Sequence, residues 1–143
     1  MTAFHVALGV ALIAVNAVAG LYGAWAWWRH ETARAFWPLL RVGQGLVMVE
    51  AVDGAILLAM GKDLPELHLI YGLVPLGVAF IAEQLRLTSA QAVLDQRGVA
   101  SARELSPAEQ EDAALDILRR EMGVMAASAL VVTALGLRAA GAL

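Results

Sequence analysis

The chain contains no cysteine, and this absence excludes several kinds of chemistry. Disulfide bonds, thiolate metal sites, haem attached through a Cys-x-x-Cys-His motif and cysteine nucleophiles all require that residue. The sequence also lacks a glycine-rich phosphate loop and a His-Glu-x-x-His zinc motif. It has no basic arm of the kind that binds nucleic acid. We therefore expect neither hydrolytic nor nucleotide chemistry, and no nucleic-acid partner.

Charged residues are scarce as well. They make up 16% of the 143 residues, whereas hydrophobic residues make up 60%, and the mean hydropathy is +0.69. A soluble domain of this length needs far more polar side chains to cover its surface, so the composition indicates that the protein is immersed in lipid. The length suits one small domain, and a single transmembrane domain is predicted over residues 1–143.

Long apolar sequence is abundant instead. Four stretches approach the roughly 20 residues that an α-helix needs to cross about 30 Å of hydrocarbon. They are residues 3–28, 38–60, 67–85 and 121–142. None alternates apolar and polar residues as the strands of a membrane barrel do. The sequence therefore predicts an all-α integral membrane protein with four transmembrane helices in an up-down bundle.

The distribution of basic residues predicts the orientation of these helices. Eight arginines lie in or beside the connections between helices one and two and between helices three and four: Arg29, Arg34, Arg41, Arg86, Arg97, Arg103, Arg119 and Arg120. The opposite side has only Lys62 and Arg138. Because basic residues are enriched in cytoplasmic loops, we expect a protein of the cell (cytoplasmic, inner) membrane with both termini outside. Trp25, Trp27, Trp28 and Trp37 cluster at the cytoplasmic interface, where indole rings anchor helices.

Residues 86–120 form the only sizeable soluble element. Ser106 and Glu109 make a capping box with Pro107 at the first helical position, so a helix is predicted to begin there and to continue into the fourth span. Residues 88–96 are expected to continue the third helix until about Gly98. This cytoplasmic helical hairpin is interpreted either as a solvated extension or as a docking surface for a partner subunit.

Two of the three histidines open apolar segments in matching contexts. His5 is followed four residues later by Gly9, and His68 by Gly72. At 100° per residue, each histidine falls on the small and polar stripe of its helix, the face that turns toward the bundle interior. On helix three this stripe also contains Glu83. Helices one and three are diagonal partners in an up-down bundle, so the two imidazoles are predicted to face each other near the outer surface.

Opposed imidazoles can bind one ligand between them. This arrangement resembles membrane b-type cytochromes in its general plan, and the resemblance implies haem b held by His5 and His68 without thioether bonds. Gly9 and Gly72 would let the flat macrocycle lie against bare backbone. The alternatives are another metal bound by the two histidines, or interfacial histidines that meet headgroups, water or a carboxylate.

Four polar residues are predicted inside the bundle, where each needs a partner or a role. They are Asn16 on helix one and Gln44, Glu50 and Asp53 on helix two. Asp53 is placed about 12 Å below the outer end of its helix and Glu50 deeper still, so both are expected below the histidines. That separation argues against a metal cage of two histidines and two carboxylates. The expected roles of the two acids are proton transfer, hydrogen bonding to a buried group, or helix packing.

These features predict a small b-type haem protein that carries electrons, with quinone as a candidate partner and Glu50 and Asp53 handling protons. One alternative is a non-catalytic accessory or assembly subunit of a larger respiratory-type membrane complex. Another is a proton-coupled channel or carrier based on the two acids. We expect no independent enzymatic activity, and a homo-oligomer is compatible with each interpretation.

Overall fold

Every regular element in the described part of the chain is a helix. The computed structural model describes residues 3–62 and 66–142. The elements are α1 (Ala3–Arg29), α2 (Phe36–Ala59), α3 (Glu66–Leu87), α4 (Ser89–Gln96), a short 3-10 helix (Ala102–Glu104) and α5 (Pro107–Ala139). Four of these helices are long and apolar enough to cross a membrane, α3 being counted with α4 as one span. The prediction of an all-α protein with four such helices is confirmed.

The fifth helix is much longer than the predicted span 121–142, because it begins at the capping box. The backbone N–H of Ser106 donates to the Glu109 carboxylate at 2.8 Å, and the backbone N–H of Glu109 donates to Ser106 Oγ at 3.5 Å. Pro107 then occupies the first turn, where a missing N–H has no cost. The helix continues without a break for 33 residues, which corresponds to about 50 Å.

The expected continuation of α3 through residues 88–96 is interrupted at Thr88. The hydroxyls of Thr88 and Ser89 both donate to the Leu85 carbonyl oxygen, at 3.0 and 3.1 Å. Such side-chain bonds compete with the helical backbone pattern and bend or end a helix. A separate short helix, α4, follows and ends before Gly98, whose φ of +70° is a left-handed conformation that glycine adopts without strain.

α1 and α5 pack antiparallel along most of the length of α1. Trp27 lies against Gly123 near one end of this interface, and Ile13 lies against Gly136 nearer the other. A Cβ atom on Gly123 would lie 2.7 Å from Trp27 Nε1, and one on Gly136 would lie 2.7 Å from Ile13 Cγ1. Glycine at both positions therefore allows the two backbones to approach closely, as small residues do between membrane helices.

α2 packs antiparallel against another side of α1, and α3 packs against α5 and α2. Gly23 lies beside the Phe36 ring at one end of the α1–α2 interface, and Gly9 lies beside the Glu50 carboxylate at the other. The first end has the tighter core, in which Ala19, Ala26, Phe36 and Met125 are completely buried. α1 and α3 thus each lie beside both α2 and α5.

Large apolar side chains cover the outside of the long helices. Exposed residues of this kind include Val10, Val18, Leu21, Val42, Met48, Val52, Ile56, Leu73, Phe80, Ile81 and Val131. A water-soluble bundle would place such residues inside and polar ones outside. The inverted pattern matches helices that are surrounded by lipid.

Candidate functional site

The candidate site lies where α1 and α3 begin and where α2 and α5 end. We call this the histidine end and define it by His5, Glu50, Asp53 and His68. Antiparallel packing brings these residues together, because the first turn of α1 lies beside the last turns of α2. Each of the four is on a helix rather than in a loop, so helix packing determines their positions.

His5 contacts both acids of α2. Its Nδ1 lies 2.9 Å from Asp53 Oδ2, and its Nε2 lies 3.4 Å from Glu50 Oε1. The His5 side chain is 8% exposed, whereas the Glu50 and Asp53 side chains are about one-fifth exposed. Of these two acids, Asp53 is closer to the ring than Glu50, at a distance typical of a charge-assisted bond.

The expected separation in depth from His5 is not found for Asp53, whose carboxylate contacts the ring, whereas the Glu50 carboxylate lies beside Gly9, one turn farther along α1. α2 continues to Ala59, six residues beyond Asp53, which carries its end about 9 Å past the level of Asp53. α1 begins at Ala3, only two residues before His5 in the described chain. The ends of the two helices are thus offset, and Asp53 is level with His5 although it is farther from its own helix end.

His68 approaches the same place from α3. Its Nδ1 donates a hydrogen bond to the backbone carbonyl oxygen of Ala139 at 3.2 Å. Because a carbonyl oxygen can only accept, this contact assigns the hydrogen to Nδ1 and leaves the lone pair of the neutral ring on Nε2. The ring centroids of His5 and His68 are 5.9 Å apart, with an angle of 55° between the ring planes.

The two glycines that follow the histidines have different surroundings. A Cβ atom on Gly9 would lie 3.2 Å from Glu50 Oε1, so this glycine makes room for the carboxylate. A Cβ atom on Gly72 would have no neighbour within 4 Å. Only Gly72 therefore presents bare backbone to open space, as was expected of both.

A cavity of about 350 Å³ separates these helices. Its polar lining comes from His5, Glu50, His68 and Tyr71, and most of its remaining lining is aliphatic or glycine. This volume is within the range of small-molecule sites, which are mostly apolar with a few polar groups that orient the ligand. Arg138 lies over the Tyr71 ring, with its guanidinium carbon 5.8 Å from the centroid.

One polar atom at this cavity lacks a partner. Glu50 Oε2 is buried, and no donor in the described residues reaches it. Its other oxygen faces His5 and the position of Gly9. A buried acceptor without a donor is costly, and such groups are often completed by a ligand or an ordered water.

Asn16 and Gln44 lie apart from this cluster. The Asn16 amide donates to the carbonyl oxygens of Leu12 at 2.9 Å and Gly43 at 3.4 Å, which joins α1 to α2 in the middle of the bundle. Gln44 instead contacts Arg41 and Glu83. Neither amide forms a hydrogen bond with Glu50 or Asp53 in the described residues, because helix rotation and depth place them elsewhere.

A second polar cluster lies at the opposite end of the bundle, which we call the arginine end and define by Arg41, Gln44, Glu83, Arg86 and Glu121. Glu83 on α3 accepts hydrogen bonds from Arg41, from Gln44 at 3.0 Å and from Arg86 at 2.8 Å. Arg86 also lies 3.6 Å from Glu121 on α5. Sequence reasoning placed Glu83 on the inner face of its helix but did not find these partners. The sequence did contain a signal for this cluster, because its members lie at similar depths on antiparallel helices.

A mixed metal cage finds no support at the histidine end. Within residues 3–62 and 66–142, no group of three or more His, Asp or Glu side chains could hold a metal ion. The reason is geometric, since Asp53 and Glu50 face different nitrogens of the same ring and do not converge on one point beside it.

The chain was also compared with known proteins. No protein-family model matches it, and neither a curated protein nor a solved structure shows significant similarity to it. The function must therefore be inferred from the site itself.

Proposed function

We propose that this protein is a membrane electron carrier that binds b-type haem between His5 and His68. The observation that carries the proposal is the pair of imidazoles, with centroids 5.9 Å apart at the edge of one apolar cavity. Metal–imidazole bonds are roughly 2 Å long, so a separation of this size leaves room for one metal atom between two coordinating nitrogens.

The hydrogen bonds of both rings support this role. Nδ1 of His5 contacts the Asp53 carboxylate, and Nδ1 of His68 donates to the Ala139 carbonyl. Metal-binding histidines usually donate one ring N–H to a carboxylate or a carbonyl, which fixes the ring and leaves the other nitrogen for the metal. Nε2 is therefore the coordinating atom in both rings. For His5 this requires the Glu50 carboxylate to move away from Nε2.

The rest of the cavity supplies what an apolar macrocycle needs. Its lining is mostly aliphatic, and Gly72 leaves the backbone uncovered on the α3 side. Haem would supply one-electron transfer. Asp53 would increase the electron donation of His5 through its Nδ1–H bond, and Glu50 would be a proton acceptor at the cavity wall.

The proposal includes the topology of the chain in the membrane. The four long helices form an up-down bundle, and the arginine-rich end faces the cytoplasm of a cell membrane. Both termini and the histidine end then face outside. α4, the 3-10 helix and the first turns of α5 extend into the cytoplasm. The three exposed tryptophans at the end of α1, Trp25, Trp27 and Trp28, support the position of that end at a membrane–water interface.

An absorbance spectrum tests the haem proposal. Protein purified after expression with added haem precursor should show a Soret band and the reduced α and β bands of a six-coordinate haem. His5→Ala and His68→Ala should each abolish the six-coordinate spectrum. His30→Ala is the matched control, because His30 is exposed in the loop after α1 and should not affect the spectrum. Colourless wild-type protein, or variants with an unchanged spectrum, would contradict the proposal.

A quinone or quinol is the second candidate ligand, and the buried Glu50 Oε2 favours it. A quinol hydroxyl in the cavity would donate a hydrogen bond to this oxygen and so supply the partner that it lacks. Solvent extraction of the purified protein followed by chromatography would reveal bound quinone. Loss of that quinone in Glu50→Gln, in protein without a haem spectrum, would favour this candidate over haem.

A further inference from the structure

A second cavity lies at the other end of the bundle, where α1 ends, α2 begins and α5 passes. It has a volume of about 490 Å³. We call it the arginine cavity and define it by His30, Arg34, Trp37, Leu115, Arg119 and Met122. It shares no residue with the cluster around Glu83 or with the histidine end. Nothing in the proposed haem function uses it.

Both arginines that line this cavity lack an acidic partner in the described part of the chain. No carboxylate in the described residues pairs with Arg34 or Arg119. The Nε atom of Arg119 is buried and has no hydrogen-bond acceptor there. A buried donor without an acceptor costs free energy, so a native structure normally completes it with a ligand, an ion or water.

Two acids, Glu31 and Asp116, also line this cavity, and each is paired with an arginine that does not line it. Glu31 accepts from Arg29 at 3.3 Å, and Asp116 accepts from Arg97 at 2.6 Å. Each of these carboxylates therefore has a guanidinium partner that does not line the cavity. Arg34 and Arg119 are therefore the cationic residues of the lining whose charge is not paired with a carboxylate of the described residues.

The Trp27 ring holds the Arg119 side chain in place. Its guanidinium carbon lies 5.7 Å from the centroid of the Trp27 ring, in a cation–π contact. Trp27 in turn packs against Gly123, one turn farther along α5. A guanidinium that is stacked on an indole keeps its edge N–H groups available for an anion, and Arg is the residue best suited to phosphate because of its planar, forked donors.

From this geometry we propose that the arginine cavity binds a phosphate group through Arg119 and Arg34. Two sources can supply this group: the headgroup of an anionic phospholipid, or free phosphate from the aqueous side. Trp37 lines the cavity and Trp27 stacks against Arg119, and tryptophan is a residue that membrane proteins place at headgroup depth. The site is independent of the haem proposal.

The test measures the thermal stability of the full chain in detergent with three probes at constant ionic strength. The probes are inorganic phosphate, dioctanoyl phosphatidylglycerol and dioctanoyl phosphatidylcholine. Stabilisation by phosphatidylglycerol alone identifies a lipid headgroup, and stabilisation by inorganic phosphate as well identifies a site for free phosphate. Either result supports the proposal. The absence of stabilisation by both phosphate and phosphatidylglycerol overturns it, as does an equal effect of phosphatidylcholine.

Matched variants then assign the effect to the cavity. Arg34→Gln and Arg119→Gln should each weaken the apparent affinity for the effective probe by about tenfold, as expected when one charge-assisted hydrogen-bonding partner is lost. Arg120→Gln removes the same charge from the neighbouring, exposed position outside the cavity and should leave the affinity unchanged. Arg34 is exposed, so its variant is expected to fold even if Arg119→Gln does not. An equal loss in Arg120→Gln would show diffuse attraction and overturn the proposal.

Discussion

The two ends of the helix bundle surround their carboxylates with different cations. At the arginine end, Glu83 accepts hydrogen bonds from two guanidinium groups and an amide. At the histidine end, Glu50 and Asp53 contact an imidazole, and no lysine or arginine of the described residues pairs with either. Guanidinium keeps its charge at every physiological pH, whereas imidazole gains and loses a proton.

Because of this difference, we interpret the arginine end as a structural cluster and the histidine end as a ligand-binding one. The arginine end joins α2, α3 and α5 through charges that do not change, next to the tightest part of the apolar core. The histidine end has a cavity of about 350 Å³ lined by both histidines and Glu50. We therefore expect substitutions at the arginine end to affect stability, and those at the histidine end to affect ligand binding more than folding.

The largest expected effect is at Glu83. Glu83→Ala leaves Arg41 and Arg86 without their carboxylate in a partly buried position and should destabilise the protein by about 3 kcal/mol. Unfolding of the detergent-solubilised protein by denaturant would measure this change. Glu31→Ala is the matched control, because its pair with Arg29 is exposed and should contribute less than about 1 kcal/mol. Equal effects of the two substitutions would contradict the structural role assigned to the arginine end.

A smaller effect is expected at Gly23, in the tight core beside the arginine end. A Cβ atom there would clash with the Phe36 ring and lie 2.9 Å from Ala126 Cβ. Gly23→Ala should therefore destabilise the protein by about 1–3 kcal/mol, the usual cost of overpacking. Gly45→Ala is the control, since its Cβ would have no neighbour within 4 Å. A stable Gly23→Ala variant would show that α1 and α2 can separate at little cost.

Gly72 at the histidine end extends this contrast between tight packing and open space. Its added Cβ would meet no atom of the described residues within 4 Å. Gly72→Ala should therefore leave the unfolding free energy nearly unchanged while reducing the amount of haem bound. Parallel measurements of denaturant unfolding and of the Soret absorbance per protein would separate the two effects. A loss of stability without a loss of haem would show that Gly72 is needed for helix packing and not for haem binding.

The two ends also differ in how far the sequence could predict them. Length and hydropathy predicted the four helices, and helical periodicity placed His5, His68 and Glu83 on inner faces. Periodicity does not report how far one helix slides along its neighbour, which depends on close contacts such as Gly123 against Trp27. That offset placed Asp53 beside His5 and joined Gln44 to Glu83. The cavity at the histidine end lies in the gaps between helices, so the sequence of no single helix predicts it.

Asp53 is expected to have a small effect on folding and a clear effect on the ligand. Asp53→Asn keeps the size of the side chain and a hydrogen-bonding oxygen, so the loss of stability should be no more than about 1 kcal/mol. If haem is bound, loss of the negative charge beside His5 should raise its midpoint potential, because the oxidised form carries the greater positive charge. Redox titration of the Soret band would detect the shift. An unchanged potential would indicate that His5 is not an axial ligand.

The smallest effect is expected for the ion pair between Arg97 and Asp116. The Nη2–Oδ2 distance of 2.6 Å is as short as the contacts at the arginine end, but the Asp116 side chain is 58% exposed. Water screens such a pair and ordering two long side chains costs entropy, so Asp116→Asn should change stability by less than about 0.5 kcal/mol. The same unfolding measurement that is used for Glu83→Ala would test this. A larger loss, abolished by salt, would mean that burial does not decide which carboxylates hold these helices together.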